Sequence, residues 1–134
     1  MYKNRYNLIC YNTYGGIDMN KYILDFLKDI MAIDSPSGYS KKVIHYCQKE
    51  AEKLGFQTKK THKGNLEIYV EGQDDYTIGF CGHVDTLGLM VRSIKSDGTL
   101  AFTNVGGPII PTLDGEYCRI HTRDGQCYTG TILS

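Results

Sequence analysis

The chain has 134 residues, 41% of them hydrophobic and 22% charged, enough for one ordinary soluble domain or two incomplete ones with a buried core. Lys plus Arg and Asp plus Glu number 15 each, so the chain lacks the one-signed field that holds nucleic acid or anionic lipid, and neither is expected as a partner. The cysteines Cys10, Cys47, Cys81, Cys118 and Cys127 are odd in number and widely spread, and no run reaches the roughly 18 apolar residues of a membrane span; a reduced, cytoplasmic protein without a disulfide framework is expected.

The opening stretch MYKNRYNLICYNTYGGID is dominated by Tyr, Asn and Gly, follows no helical or strand period, and lacks the apolar core of a secretory signal. Residues 1–18 are read as an unstructured or non-native leader, with translation starting at Met19 and Gly15 and Gly16 encoded by a purine-rich ribosome site. From Asn20, a good capping residue, NKYILDFLKDIMAI places Ile23, Phe26, Leu27, Ile30 and Met31 on one face of an amphipathic helix. Asp34-Ser35-Pro36-Ser37-Gly38 ends it, because proline drives the preceding residue out of helical geometry and glycine permits a turn. In YSKKVIHYCQKEAEKLGF the apolar positions Val43, Ile44, Cys47, Ala51 and Leu54 predict a second helix with Gly55 as its C-terminal stop, and His45 lies off the stripe as a solvated residue.

Short segments follow: FQTKKTH, a Lys63-Gly64-Asn65 turn, LEIYVEG, a turn at Asp74-Asp75, then TIGFCGHVD, all read as strands. Helices followed by strands predict an α/β layer with helices on at least one sheet face. Beyond Gly88, LGLMVRSIK, Asp97-Gly98 and TLAFTNV predict one β-hairpin, and EYCRIHTR, Asp124-Gly125 and QCYTGTIL a second. Both turns read as two-residue type I′ loops, for which Asp-Gly is a favoured pair. In the second hairpin that register sets Arg123 against Gln126, Cys118 against Thr131 and Cys127 against Thr122, so the two cysteines do not meet.

The sharpest chemical feature is TIGFCGHVDTLG, an apolar strand delivering His83 and Asp85 at its C-terminal end. Residues two apart on a strand share a face, so Cys81, His83 and Asp85 point the same way if the segment is extended. A neutral imidazole is a good zinc or cobalt ligand, and a nearby carboxylate orients the ring and raises its basicity. The triplet alone is weak evidence for a metal, and by itself it fits better a partly buried histidine satisfied by its neighbouring carboxylate. Cys81 as a nucleophile, with His83 as base and Asp85 as orienter, is a poorer reading, because parallel side chains several ångströms apart lack direct hydrogen-bond reach. His45, His62 and His121 read as surface histidines, Gly106 and Gly107 as a sharp turn or a close backbone approach, and no phosphate-binding glycine pattern occurs.

Taken in order, SPSGYSKKV, NLEIYVEG, TIGFCGHVDTLGLMV, SDGTLAF, NVGG and the closing G-x-I resemble the tetrahedral, deblocking and glutamyl aminopeptidase family of di-metal exopeptidases, over about residue 21 to the end. The resemblance implies an α/β fold: the front part of a zinc-peptidase-like α/β domain over 19–86, then, over 87–134, the start of an inserted small β-barrel-like domain that mediates dimerisation and higher assembly. It implies two divalent metal ions, zinc or cobalt, with His83 as a metal ligand and Asp85 as the catalytic carboxylate that supports it. Peptide substrates and a homo-oligomer are implied as partners. Thr86 stands where many members carry a glutamate. The family draws its remaining ligands and its general base from sequence beyond its β domain, so the 134-residue chain alone is expected to be inactive; a non-catalytic assembly module or degenerate remnant is the competing expectation.

If translation starts at Met19, intact-mass spectrometry of the native protein will find residues 1–18 missing; a mass that includes them rules the internal start out.

Overall fold

In the computed structural model, which describes residues 13–14, 17–73 and 75–133, the first structure in the chain is a short antiparallel pair, β1 (Thr13–Tyr14) with β2 (Ile17–Asp18). The rest of the opening segment, on which the expectations of a leader and of an internal start fall, lies outside the described residues, as does Asp74 of the expected Asp74-Asp75 turn. The chain divides into two compact units, one reaching to Asp85 and a second, Thr86–Ser134.

In the first unit, helix α1 (Met19–Ala32) is capped by Asp18, not by Asn20 as the sequence suggested: its carboxylate accepts from the main-chain N–H of Asn20 at 3.1 Å and of Lys21 at 3.3 Å. Both residue types cap well, but a full negative charge is also favoured by the positive end of the helix dipole. The apolar face forms as the spacing predicts. It is only partly covered, with Ile23 54%, Leu27 48% and Met31 66% exposed, while Phe26 stacks on Tyr46 at 5.8 Å between ring centroids.

Helix α2 (Lys41–Lys53) buries Val43 and Ala51, packs against α1, and stops at Gly55, whose φ of +85° is the left-handed value of a C-terminal glycine stop. His45 is exposed, as its place off the stripe requires. Antiparallel strands β3 (Gln57–Lys60) and β4 (Leu66–Tyr69) form a hairpin that also contacts α2.

Residues 77–85 correct the sequence reading, since this segment pairs with no strand among the described residues and leaves Ile78 65% and Phe80 95% exposed. Its apolar residues have strand composition. A strand, however, is completed by hydrogen bonds to a neighbour, and none of the described strands offers it one.

The second unit holds two separate two-stranded antiparallel sheets, β5 (Gly88–Ile94) with β6 (Leu100–Val105) and β7 (Tyr117–His121) with β8 (Cys127–Thr131). A single 3₁₀ turn at Ile110–Thr112, absent from the sequence reading, joins the hairpins. Among the described residues the two sheets do not pair with each other, so the strands close no barrel. Ile132 is the buried apolar residue here, held where Ile132 N–H donates to Glu116 O and Gly115 N–H donates to Ile132 O, two bonds that prolong the β7–β8 ladder.

Both Asp-Gly turns depart from type I′. Gly98 N–H donates to Lys95 O and Lys95 N–H to Thr99 O, which makes a three-residue loop over 96–98; the same bonds join Gly125 to Thr122 and Thr122 to Gln126. Only the glycines have positive φ, +85° at Gly98 and +86° at Gly125, whereas type I′ needs it at both central residues. Each is a type I turn followed by a left-handed glycine. The longer loop shifts the second hairpin by one residue, so Cys118 faces Gly130 and Cys127 faces His121.

Gly106 has φ +77°, and a Cβ placed there would lie 2.6 Å from Leu87 Cδ2, so it is both a turn and a close approach. Gly106→Ala should destabilise the chain by about 1–2 kcal/mol from the left-handed backbone alone. Adding Leu87→Ala relieves the side-chain contact but not the backbone cost, so urea unfolding of the double variant should recover only part of the loss.

Candidate functional site

Without a strand ladder, the segment carrying His83 is fixed by the loop between α1 and α2. Pro36 follows the end of α1, and Gly38, at φ +88°, turns the chain towards α2. On either side of Pro36, two hydroxyls reach residues nearly fifty positions away. Ser35 is fully buried and its Oγ donates to the main-chain oxygen of Val84 at 3.0 Å, while Ser37 Oγ donates to Asp85 Oδ2 at 2.5 Å. One hydroxyl pins the peptide and the next pins the side chain that follows it.

His83 and Asp85 do come together, in a way that shared orientation on a strand does not describe. His83 Nδ1 lies 3.1 Å from the main-chain oxygen of Asp85 and 3.5 Å from its carboxylate Oδ1. A carbonyl oxygen can only accept, so a hydrogen bond here takes the tautomer with the proton on Nδ1, in which Nε2 carries the lone pair. The His83 side chain is 84% exposed, so it has the carboxylate neighbour of the partly buried histidine reading but not its burial. The Asp85 carboxyl is held below the usual carboxylate range, chiefly by the Ser37 hydroxyl; limited desolvation opposes the shift, and its own main-chain amide and the His83 imidazole add to it.

The donor chemistry of His83 suits a divalent metal. A ligating histidine ordinarily donates its other N–H to a carbonyl or carboxylate, as His83 does to Asp85. One nitrogen is an incomplete site: no cluster of three or more His, Cys, Asp or Glu residues able to hold an ion occurs among the described residues. Cys81 is an exposed free thiol, and among the described residues no hydrogen bond joins it to His83, so the nucleophile reading lacks its thiol–imidazole contact. His62 is exposed, and His121 lies on β7 opposite Cys127.

An open cavity of about 680 Å³ lies within the first unit, with Phe26, Ile44 and Leu66 on its apolar side and Ser37, His83 and Asp85 on its polar side. The sequence reading missed Ser35 and Ser37 as parts of this site. Their signal was a pair of hydroxyls in a turn between helices, which by itself reads as turn chemistry alone.

The chain is similar to known proteins over most of its length. Residues 64–134, a little over half of the chain, match the family model described as M42 glutamyl aminopeptidase. YhfE of Bacillus subtilis (strain 168) is 39% identical over 111 residues, covering 82% of this chain and 32% of that protein. The glutamyl aminopeptidase of Lactococcus lactis subsp. cremoris (strain MG1363) is 27% identical over 106 residues, covering 78% of this chain and 30% of that protein. Among solved structures, the TET aminopeptidase from the marine sediment archaeon Thaumarchaeota archaeon SCGC AB-539-E09 superposes with a TM-score of 0.78 at 27% identity, over 85% of this chain and 32% of that one. The Pyrococcus horikoshii TET1 peptidase, which can assemble into a tetrahedron or a large octahedral shell, gives 0.70 at 28% identity, over 84% and 33%. The chain thus spans about a third of the length of the relatives it matches.

Ser37→Ala should raise the Asp85 pKa towards the ordinary carboxylate value, measured by carboxyl-detected NMR titration. The folded-state pKa is depressed, so the stabilisation linked to Asp85 ionisation is present above the unfolded-state pKa and is lost as pH falls through the folded one. The variant should lose it at higher pH than the parent; an unmoved Asp85 titration would sink the assignment of Ser37 as its main partner. From the family match over residues 64–134, with the aminopeptidase structures as neighbours in fold, the chain belongs to the M42 glutamyl aminopeptidase family.

Proposed function

We propose that this chain supplies one part of a metal-dependent aminopeptidase, with His83 as a ligand of one of two divalent ions, zinc or cobalt, and Asp85 as the carboxylate supporting it. The observation that carries the reading is the His83 contact with the Asp85 carbonyl, which suits the Nδ1–H tautomer with the Nε2 lone pair free. Membership of the family and the TET aminopeptidase neighbours support the reaction class.

Such ions polarise the scissile carbonyl and lower the pKa of a bound water. The residues present have narrower tasks. His83 offers one neutral nitrogen, Asp85 holds the ring through its carbonyl and adds a negative charge 3.5 Å from Nδ1, and Ser37 keeps that carboxylate ionised. A lone ligand binds an ion weakly without a preformed set around it, so the 134-residue chain by itself is inactive. On this reading the other ligands and the general base lie in sequence corresponding to the rest of the relatives, of whose length this chain spans about a third.

Peptides with a free N-terminus are the substrates and the cytoplasm is the location. Among the described residues no helix is long and apolar enough to cross a membrane. Residues 87–134 contribute to a β-barrel-like domain that assembles the enzyme into a homo-oligomer. Two features favour an assembly role: the unpaired outer edges of its two-stranded sheets, and the shells formed by the Pyrococcus horikoshii relative.

The decisive experiment grafts residues 19–134 in place of the matching segment of the Lactococcus lactis glutamyl aminopeptidase and assays release of N-terminal residues. The graft should be active and chelator-sensitive, and His83→Ala should lower kcat/KM by roughly 10³-fold, the equivalent of the several kcal/mol an ion contributes. Full activity and metal content in that variant would refute the ligand role. Should the graft misfold, paramagnetic broadening by cobalt in the isolated chain decides instead: it should centre on the His83 imidazole, and broadening elsewhere alone counts against the reading.

A further inference from the structure

We propose that Ser35 and Ser37 form a two-point clamp that sets the orientation and tautomer of His83, acting through Val84 and Asp85 as positioning residues. The proposal rests on the reading of His83 as a metal ligand and extends it to the loop between α1 and α2, which contributes no ligand of its own.

Four observations combine. Residues 77–85 pair with no strand among the described residues, so no ladder holds them. Ser35 is fully buried with its Oγ 3.0 Å from Val84 O, which fixes the plane of the peptide leading into Asp85. Ser37 Oγ donates to Asp85 Oδ2, so this oxygen is occupied and the carboxylate cannot turn freely about its own bond. Both remaining acceptors of Asp85, the main-chain oxygen at 3.1 Å and Oδ1 at 3.5 Å, then face the same atom, His83 Nδ1.

The chemical consequence follows from proton placement. Two acceptors on one side of the ring favour the Nδ1–H tautomer and leave the Nε2 lone pair to a metal. An Asp85 free to rotate would present only its main-chain oxygen dependably, and the exposed ring would drift towards the tautomer mixture of a free imidazole. The spacing also explains why two serines two residues apart are needed. Each reaches one of two consecutive residues, and Pro36 between them restricts the loop that carries both.

The test uses the 134-residue chain and reads the imidazole nitrogens of His83 by ¹⁵N-resolved NMR, then follows the same resonances during zinc titration. The parent should show mainly Nδ1–H. Ser37→Ala should shift the ring towards Nε2–H and weaken zinc binding at His83 about tenfold, as loss of a partner behind a ligand does. Ser37→Thr, which keeps the hydroxyl, should restore both, an outcome that a general loss of folding would not give. Ser35→Ala should move the same two readouts through the backbone. The proposal is overturned if Ser37→Ala leaves tautomer and zinc affinity at parental values while the Asp85 titration rises, since Ser37 then acts on Asp85 alone. If zinc fails to perturb His83 even in the parent, the metal reading falls, whereas the tautomer shift still decides the clamp.

Discussion

A fully buried serine hydroxyl ties the α1–α2 loop to the segment bearing His83, and the arrangement of the candidate site depends on it. A buried hydroxyl without a partner is costly, on the order of 1–3 kcal/mol. Ser35 meets that need with the carbonyl of Val84, a residue far along the chain. The same bond therefore satisfies the loop and places the segment. Its neighbour Ser37 does for the Asp85 side chain what Ser35 does for the backbone. Helix packing is thereby coupled to the site, because Pro36 and Gly38 set the loop between α1 and α2. A shift of either helix would be transmitted to Asp85 through two hydrogen bonds.

What the sequence revealed of the fold was what local chemistry decides. Val43 and Ala51, eight residues apart, share the face that α2 buries, and Gly55 stops the helix with a left-handed φ. The turn type was harder to read. Asp-Gly suits a two-residue loop, but it also suits the last two positions of a three-residue one, where Asp needs no positive φ. Asp97 Oδ1 accepts from the Thr99 main-chain N–H at 2.9 Å and from its hydroxyl at 2.7 Å, and Asp124 accepts from Thr122. A threonine near the Asp in each turn was thus the discriminating signal. Missing it moved the register by one residue, enough to exchange the cross-strand partners of both Cys118 and Cys127.

The candidate site was legible in residue type and only partly in geometry. The pair His83 and Asp85 stood out as an imidazole and a carboxylate two residues apart, and the two side chains meet in the structure. The expected cause was shared orientation on a strand. The observed contact runs from the ring to the Asp85 carbonyl, and a distant pair of serines holds Val84 and Asp85. Strand formation depends on a partner that a local pattern does not reveal, and so does the partner of a buried hydroxyl. Both misses have this common root: composition reports what a segment prefers, whereas its hydrogen-bond partners lie elsewhere in the chain.

The apolar residues left exposed fit the proposed reading, in which further structure covers them. Phe80 is 95% exposed three residues before His83, Ile78 is 65% exposed, and α1 carries Ile23, Leu27 and Met31 about half exposed or more. Burying a side chain of this size is worth about 1.5–3 kcal/mol. On the proposed reading, the structure that covers Phe80 and Ile78 also brings the remaining ligands towards Nε2 of His83. The same burial would exclude water around the ring and strengthen its electrostatic contacts with Asp85 and a metal, since charges interact more strongly as the effective dielectric falls. An exposed histidine with one oriented nitrogen is then the first component of a site whose affinity arises with its enclosure. On that reading metal binding and folding are linked: the segment gains its ladder, its cover and its ion together.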